Sequence, residues 1–187
     1  LASDFFVARS AAGEQYLGLG LDGEKRVIDA LASNMGHLLW SRAVDEPTAA
    51  GIAAHLTSPT LFSGWGIRTL ATTNAGYAPV SYHRGSVWPH DTALIVHGLT
   101  RYGQVEAAAM VSRGLLRAAP SFDYRLPELF SGLPDDGHGF PVAYPTSSRP
   151  QAWAAASPLL LIRAWLGLEA DLPNGILWLR PASTRAR

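Results

Sequence analysis

Hydrophobic residues recur at helical intervals in two segments of the chain. In the first segment, residues 27–41, Val27, Leu31, Met35 and Leu38 repeat every three or four positions, which predicts a helix. The second such segment is residues 104–119, amphipathic through Val105, Met110 and Leu115, and capping signals and composition predict three more helices, over residues 45–57, 91–102 and 151–166. The last of these is nearly all apolar, so we expect it to be buried on most sides.

Polar residues, glycines and prolines mark the expected ends of these helices. Asp45 stands at an N-cap position, Pro47 falls in the following first turn, and Pro59 stops the same helix. Asp91 is expected to cap the third helix and Gly103 to end it. Local signals therefore predict the boundaries of the second and third helices.

The remaining segments predict turns and two long loops. An Asp-Gly pair predicts a short β-hairpin over residues 15–26, and an Asn-Gly pair precedes a strand-like run within 172–181. Residues 60–90 and 120–150 are rich in Gly, aromatic and hydroxyl residues, and loops this long are usually functional or disordered. Their aromatic content argues against disorder.

Together these elements predict an all-α fold of antiparallel helical hairpins over residues 26–181, with a small β-hairpin near the N-terminus. Because short and long connections alternate, both long loops are expected at the same end of the helices. A site assembled from residues of both loops would lie there.

Composition restricts the class of function. The 187 residues are 48% hydrophobic, which suits one globular domain or part of one. Fifteen basic residues balance fifteen acidic ones, so neither nucleic acid nor an anionic membrane surface is an expected partner. No apolar run of about 18 residues predicts a membrane span, and the first ten residues lack the pattern of a signal peptide. The absence of cysteine is compatible with a reducing compartment, and we expect a cytoplasmic protein.

The histidines do not form a metal-binding pattern. His90 and His97 lie two helical turns apart, too far to share an ion easily, and no HExxH motif is present. The chain also lacks the GxGxxG spacing of dinucleotide-binding loops and the GxSxG motif of serine hydrolases. We therefore expect no metal and no cofactor.

One carboxylate has no obvious structural duty. Glu128 lies in the apolar segment LPELFSG, residues 126–132, where no helix start needs a cap. A carboxylate among apolar neighbours holds a proton more readily than one in water, which suits it to act as a general base that activates water. The alternative is a structural ion pair between Glu128 and Arg125.

Aromatic residues are concentrated in or beside the two long loops. They are Trp65, Tyr82, Trp88, Phe130, Tyr144 and Trp153. Each of them alone is more often part of a hydrophobic core. Together with nearby His and Arg donors, they favour a carbohydrate-binding cleft, in which sugar rings lie on aromatic planes and hydroxyls meet polar groups.

Four segments carry a resemblance to a known family. Residues 63–71, 82–103, 126–132 and 144–164 resemble the C-terminal half of bacterial amylo-α-1,6-glucosidase or glycogen-debranching-type proteins, which are glycosidases with an (α/α)6 toroid. The resemblance implies that residues 1–187 form the C-terminal portion of one such catalytic domain. It also implies that this chain packs against the N-terminal half of the same protein, which is its expected partner.

The resemblance further implies inverting hydrolysis of α-glucosidic linkages in an α-glucoside or oligosaccharide. Glu128 matches the carboxylate that activates water, while the general acid belongs to an upstream block that is absent from this sequence. The implied substrate-binding residues are Trp65, Tyr82, His83, Gly85, Trp88, His90, Asp91, Arg149, Gln151 and Trp153.

Two other classes of function stay open at the level of sequence. The chain could be a non-catalytic carbohydrate-binding or scaffold segment of a degenerate family member. It could also be a helical-repeat interaction module, although the aromatic loops argue against that class. The sequence does not fix the linkage that is cleaved.

Overall fold

The computed structural model of the protein describes residues 7–9, 15–137 and 139–181. The helices are α1 (Gly36–Trp40), α2 (Glu46–Thr57), α3 (Pro89–Arg101), α4 (Val105–Ala118) and α5 (Ala152–Leu166). Short 3-10 turns occupy Ser33–Met35, Ala119–Phe122 and Leu172–Asn174. The strands are β1 (Val7–Arg9), β2 (Gln15–Leu17), β3 (Gly20–Leu21), β4 (Val27–Ile28), β5 (Leu168–Asp171) and β6 (Ile176–Leu179).

The fold is mainly helical, as expected, with small sheets near the two ends of the chain. Within the described ranges, β1 pairs with β2, β3 with β4 and β5 with β6, each pair antiparallel and two-stranded. The all-α prediction is therefore confirmed for the body of the chain, and the small sheets are added to it.

Helix α3 is the centre of the packing. It contacts α1, α4 and α5, and its residues Ala93, Ile95, Val96 and Leu99 are fully buried. Gly98 allows the close approach of α1, because a Cβ at this position would lie 2.7 Å from the backbone nitrogen of Trp40. Because α3 is buried, the positions of His90 and Asp91 in its first turn are set by the packing of the helix.

The first predicted helix and the predicted hairpin are partly wrong. Residues 27–28 form β4 instead of a helical turn, and the helix occupies only Gly36–Trp40. The turn after β3 is present, because the Asp22 carboxylate accepts hydrogen bonds from the backbone N–H groups of Glu24 and Arg26. The chain returns from this turn into β4, which pairs with β3, while β2 pairs with β1 instead. The pairing of Val27 and Ile28 with β3 therefore overrides the helical periodicity of this segment.

The other helix boundaries agree closely with the sequence. The Thr48 N–H donates to the Asp45 carboxylate at 3.0 Å, which confirms the N-cap of α2. Helix α3 begins at Pro89 rather than Asp91, and no side chain caps it. Asp91 does not act as a cap because its carboxylate bonds to His37 instead.

Helix α5 does not have the burial that its composition predicts. It buries one stripe, made of Ala154, Ser157, Leu161 and Ala164. Large apolar side chains on its other faces are exposed: Trp153, Leu159, Ile162, Trp165 and Leu166. The expectation of burial on most sides is wrong, because α3 covers only one face of α5 among the described residues.

The two long loops meet at one end of the helices, as predicted. Single β-bridges join Arg68 to Val87, Val87 to Phe130, and Phe130 to Ala143. Val87 and Phe130 exchange two backbone hydrogen bonds of 2.9 Å each. The buried Arg68 side chain adds a hydrogen bond of 2.6 Å to the carbonyl of Gly132. Residues 82–91 and 126–132 are thus held side by side.

Candidate functional site

A cleft opens where the two loops meet the N-terminal end of α3. Its volume is about 400 Å³, at the small end of the range for small-molecule sites. The lining residues are Ser33, Thr69, Tyr82, His83, Trp88, His90, Asp91, Glu128 and Trp153. Seven of the eleven site residues predicted from the sequence are among them.

Glu128 is half-buried and fixed on two sides. The Tyr82 hydroxyl donates to Glu128 Oε1 at 2.6 Å, and the Ser148 N–H donates to Oε2 at 3.4 Å. The backbone N–H of Glu128 also donates to the Ser148 carbonyl at 3.0 Å. No ion pair joins Glu128 to Arg125, both of which belong to the described part of the chain. The carboxylate is therefore oriented by neutral donors.

Aromatic rings form the wall beside Glu128. The Tyr82 ring meets Trp88 edge-on, with centroids 4.8 Å apart, and His83 stacks parallel to Trp88 at 5.5 Å. The Trp88 indole N–H donates to the Tyr82 carbonyl at 3.0 Å. Tyr144 approaches Tyr82 edge-on at 6.0 Å. These contacts hold the aromatic rings of the YHRGSVW segment together as one surface beside Glu128.

His90 and Trp153 form a stacked pair on the other side of the cleft. Their rings are parallel and 4.0 Å apart, and Trp153 remains 51% exposed. Burial lowers the pKa of His90, which favours the neutral imidazole. The pair presents a flat surface that can face a sugar ring.

Asp91 is buried beneath the cleft and contacts a residue that the sequence did not suggest. His37 Nε2 lies 2.5 Å from Asp91 Oδ1. The hydrogen bond to Asp91 raises the pKa of His37. Ser33 and Thr69 also line the cleft, and no motif in the sequence points to them. Only the packing of α1 and of the first loop against α3 brings these three residues to the site.

Four of the predicted site residues lie outside the cleft lining. Trp65 is buried and packs under the Arg117 guanidinium, 4.8 Å from its ring. Gly85 is buried with a φ of +131°, where a side chain would be strained. Arg149 lies 3.6 Å from the Asp123 carboxylate, and the Gln151 side chain caps α5 by accepting from the Ala154 N–H.

A larger cleft, of about 570 Å³, lies near the C-terminal end of α3. One of its lining residues, Glu169, forms an ion pair with Arg163 and a hydrogen bond with His97, each at 3.0 Å. That arrangement is typical of a structural ion-pair network. The smaller cleft differs because Glu128 contacts no cationic side chain there.

The described residues contain no group of three or more His, Cys, Asp or Glu side chains that could hold a metal ion. His138 lies outside the described residues. Among the described helices, none has the length and apolar character needed to cross a membrane.

An oriented carboxylate in an aromatic-lined cleft, carried on the loops of a mainly helical domain, is typical of carbohydrate-active proteins. The sequence profile of the family described as the mannosylglycerate hydrolase MGH1-like glycoside hydrolase domain matches residues 3–154. The chain belongs to this family. The glycoside hydrolase class predicted from the sequence is thereby confirmed.

Individual relatives agree with the family. The chain is 29% identical over 128 residues to a mannosylglycerate hydrolase of Rubrobacter radiotolerans. That alignment covers 66% of this chain and 28% of the relative. The structure of a GH63 mannosylglycerate hydrolase from Thermus thermophilus in complex with Tris matches with a TM-score of 0.59 and 18% identity, over 81% of this chain and 31% of that one. The same enzyme in complex with glucose matches with a TM-score of 0.58 and 18% identity, over the same shares of both chains.

These structural matches show a shared fold. The chain spans about 30% of the length of the relatives it matches.

Proposed function

We propose that the protein hydrolyses an α-glycosidic bond of a small glycoside with inversion of configuration, and that Glu128 is the general base. One observation carries the proposal: Tyr82 holds the Glu128 carboxylate in an aromatic-lined cleft at the meeting point of the two loops. The family supports the reaction class, since its description names a glycoside hydrolase domain.

In an inverting reaction, Glu128 accepts a proton from a water molecule as the water oxygen bonds to the anomeric carbon. The bond between that carbon and the leaving oxygen breaks, and a general acid gives its proton to the leaving oxygen. The two carboxyl groups of such enzymes stand about 6.5–9.5 Å apart, which leaves room for the water. We place the general acid in a part of the domain outside these 187 residues. The predicted toroid would bring that part across the cleft from Glu128.

The substrate that we propose is a compact glycoside rather than a long glucan. The relatives are named mannosylglycerate hydrolases, and a cleft of about 400 Å³ suits a ligand of that size. The α-1,6-glucosidic linkage expected from the sequence resemblance is the competing specificity. Both substrates present sugar hydroxyls to the same polar groups, so a direct comparison of turnover separates them.

The test is Glu128→Gln in the complete protein, with mannosylglycerate and an α-1,6-linked glucoside as substrates. Glutamine keeps the shape and the bond from Tyr82 but cannot accept the proton. We expect turnover to fall by about 10²–10⁴-fold while substrate affinity stays within a few-fold.

Arg125→Gln is the matched control, because it would remove the ion pair that the alternative assigns to Glu128. It should leave turnover near the wild-type level. Near-normal turnover of Glu128→Gln would refute the catalytic assignment and favour a carbohydrate-binding or scaffold role. Preferential hydrolysis of the α-1,6-linked glucoside would overturn the proposed substrate class alone.

A further inference from the structure

The contact between His37 and Asp91 joins two helices below the cleft. His37 lies on α1 and Asp91 on α3, 54 positions apart in sequence, and their side chains meet at 2.5 Å. The Asp91 side chain is only 11% exposed, whereas that of His37 is 41% exposed. Asp91 lies in the first turn of α3, where a carboxylate interacts favourably with the helix dipole, but it does not cap the helix and its Oδ1 is bonded to His37.

The second oxygen of Asp91 is the informative atom. Oδ2 is buried and has no hydrogen-bond partner in the described part of the chain. A buried carboxylate oxygen without a donor is costly, so most such atoms in proteins have a partner. Asp91 lines the same cleft as Glu128, and a sugar ring there would bring hydroxyl donors to it.

We propose that His37 is a positioning residue for substrate binding: it fixes Oδ1 of Asp91, so that Oδ2 receives a hydrogen bond from a hydroxyl of the bound sugar. The inference rests on the proposed function and extends it to a residue outside the cleft lining. His37 itself does not line the cleft and acts through Asp91.

The charges around the pair give the expected pH dependence. Two groups on α3 interact electrostatically with His37: Asp91 and His90. Glu128 lies in the same cleft and interacts electrostatically with His90. The hydrogen bond from His37 to Asp91 raises the pKa of His37, so the imidazolium persists to a higher pH than usual. As the pH rises through this pKa, His37 loses its charge and its hold on Asp91 weakens. Substrate affinity should therefore weaken on the alkaline side.

The experiment compares His37→Ala with His37→Gln in the complete protein, using mannosylglycerate between about pH 6 and pH 9, a range that starts near the ordinary histidine pKa and extends above it. Glutamine can place an N–H donor near Asp91 but carries no charge, whereas alanine removes the donor. Because the bond to Asp91 serves substrate and transition state alike, we expect His37→Ala to raise KM by about 10- to 100-fold with kcat within a few-fold. His37→Gln should give a smaller rise in KM that no longer changes with pH.

A second measurement does not depend on the substrate. The imidazole signals of His37, assigned by their loss in His37→Gln, should titrate above the ordinary histidine pKa in NMR spectra, and Asp91→Asn should remove that shift. His55→Gln is the control, since His55 lies on α2 and bonds the Gln15 carbonyl, away from the cleft.

Two outcomes would overturn the inference. One is a wild-type KM at every pH for both His37 variants, with only the melting temperature lowered, because this would make the pair merely structural. The other is an ordinary titration of His37 that Asp91→Asn leaves unchanged. If no glycoside is turned over, the proposed function fails, and the NMR titration still decides whether His37 holds Asp91.

Discussion

The hydroxyl of Tyr82 donates a 2.6 Å hydrogen bond to Oε1 of Glu128 across 46 positions of sequence. This bond joins the aromatic loop before α3 to the LPELFSG loop. It sets the direction of the carboxylate, because the backbone of Ser148 holds the other oxygen more loosely, at 3.4 Å.

Replacing Tyr82 by Phe should lower turnover with little change in stability. Hydrogen bonds to charged groups contribute about 1.5–3 kcal/mol, which corresponds to roughly 10- to 100-fold in rate if the bond persists in the transition state. Steady-state kinetics of the complete protein would measure the loss. Tyr124→Phe is the control, because Tyr124 is largely exposed and lies outside the cleft lining. Equal turnover in the two variants would mean that Tyr82 does not orient the base.

Gly132→Ala should disrupt the site by forcing two loops apart. A Cβ at Gly132 would lie 1.7 Å from the carbonyl oxygen of Gly85, and the two glycines belong to the two loops that meet at the cleft. We expect a loss of about 3 kcal/mol or more in the free energy of unfolding.

Gly51→Ala provides the opposite case for the same substitution. Gly51 lies within α2, and no atom approaches the position of an added Cβ within 4 Å. Alanine should therefore stabilise the helix by about 0.5–1 kcal/mol. Denaturant unfolding of both variants measures the difference, and a tolerated Gly132→Ala would contradict the packing of the two loops.

The 187-residue chain on its own should self-associate. Leu159 and Ile162 on α5 are 69% and 51% exposed, and exposed apolar faces of this kind promote association. Sedimentation velocity should show oligomers or aggregates that diminish in a Leu159→Glu, Ile162→Lys double variant. A monodisperse and highly stable monomer of the unmodified chain would count against this expectation.

Acid should destabilise the protein in part through His97. Burial lowers the pKa of His97, so the folded state favours its neutral form. The contribution of His97 to stability is therefore complete above the ordinary histidine pKa of 6.5 and is lost as the pH falls below it, because the unfolded chain binds the proton more readily.

The melting temperature of His97→Gln should consequently fall less between about pH 7.5 and pH 5.5, on either side of the ordinary histidine pKa, than that of the wild type. The raised pKa of His37 acts in the opposite direction, so the test is the difference between wild type and variant rather than the wild-type curve alone. Parallel curves for the two proteins would refute the assignment to His97.

Local signals predicted most of the helices, whereas non-local contacts decided the exceptions. Asp45 and Pro47 mark the start of α2 through short-range chemistry, and the structure agrees. The segment at Val27 has a helical pattern but pairs with β3, because the turn at Asp22 brings a strand partner beside it. The exposure of Ile162 depends on which elements cover α5, and composition does not contain that information.

The candidate site likewise combines residues that the sequence predicts with residues that only the packing of the fold brings together. Glu128 stands out in the sequence because it lies among apolar residues with no helix to cap, and Tyr82 and Trp88 because aromatics cluster in the two loops; the structure brings all three together. His37 and Thr69 carry no local signal, since a histidine in a helical segment and a threonine in a loop are common. Their position beside α3 follows only from the packing of three separate segments.

The paired backbone bonds between Val87 and Phe130 also have a dynamic consequence. Each residue is both donor and acceptor for the other, so neither segment can separate without breaking both bonds. Val87 leads into α3, and Phe130 follows the proposed catalytic carboxylate by two positions. The two amides should therefore show the same protection factor against exchange with deuterium, because one opening event breaks both bonds.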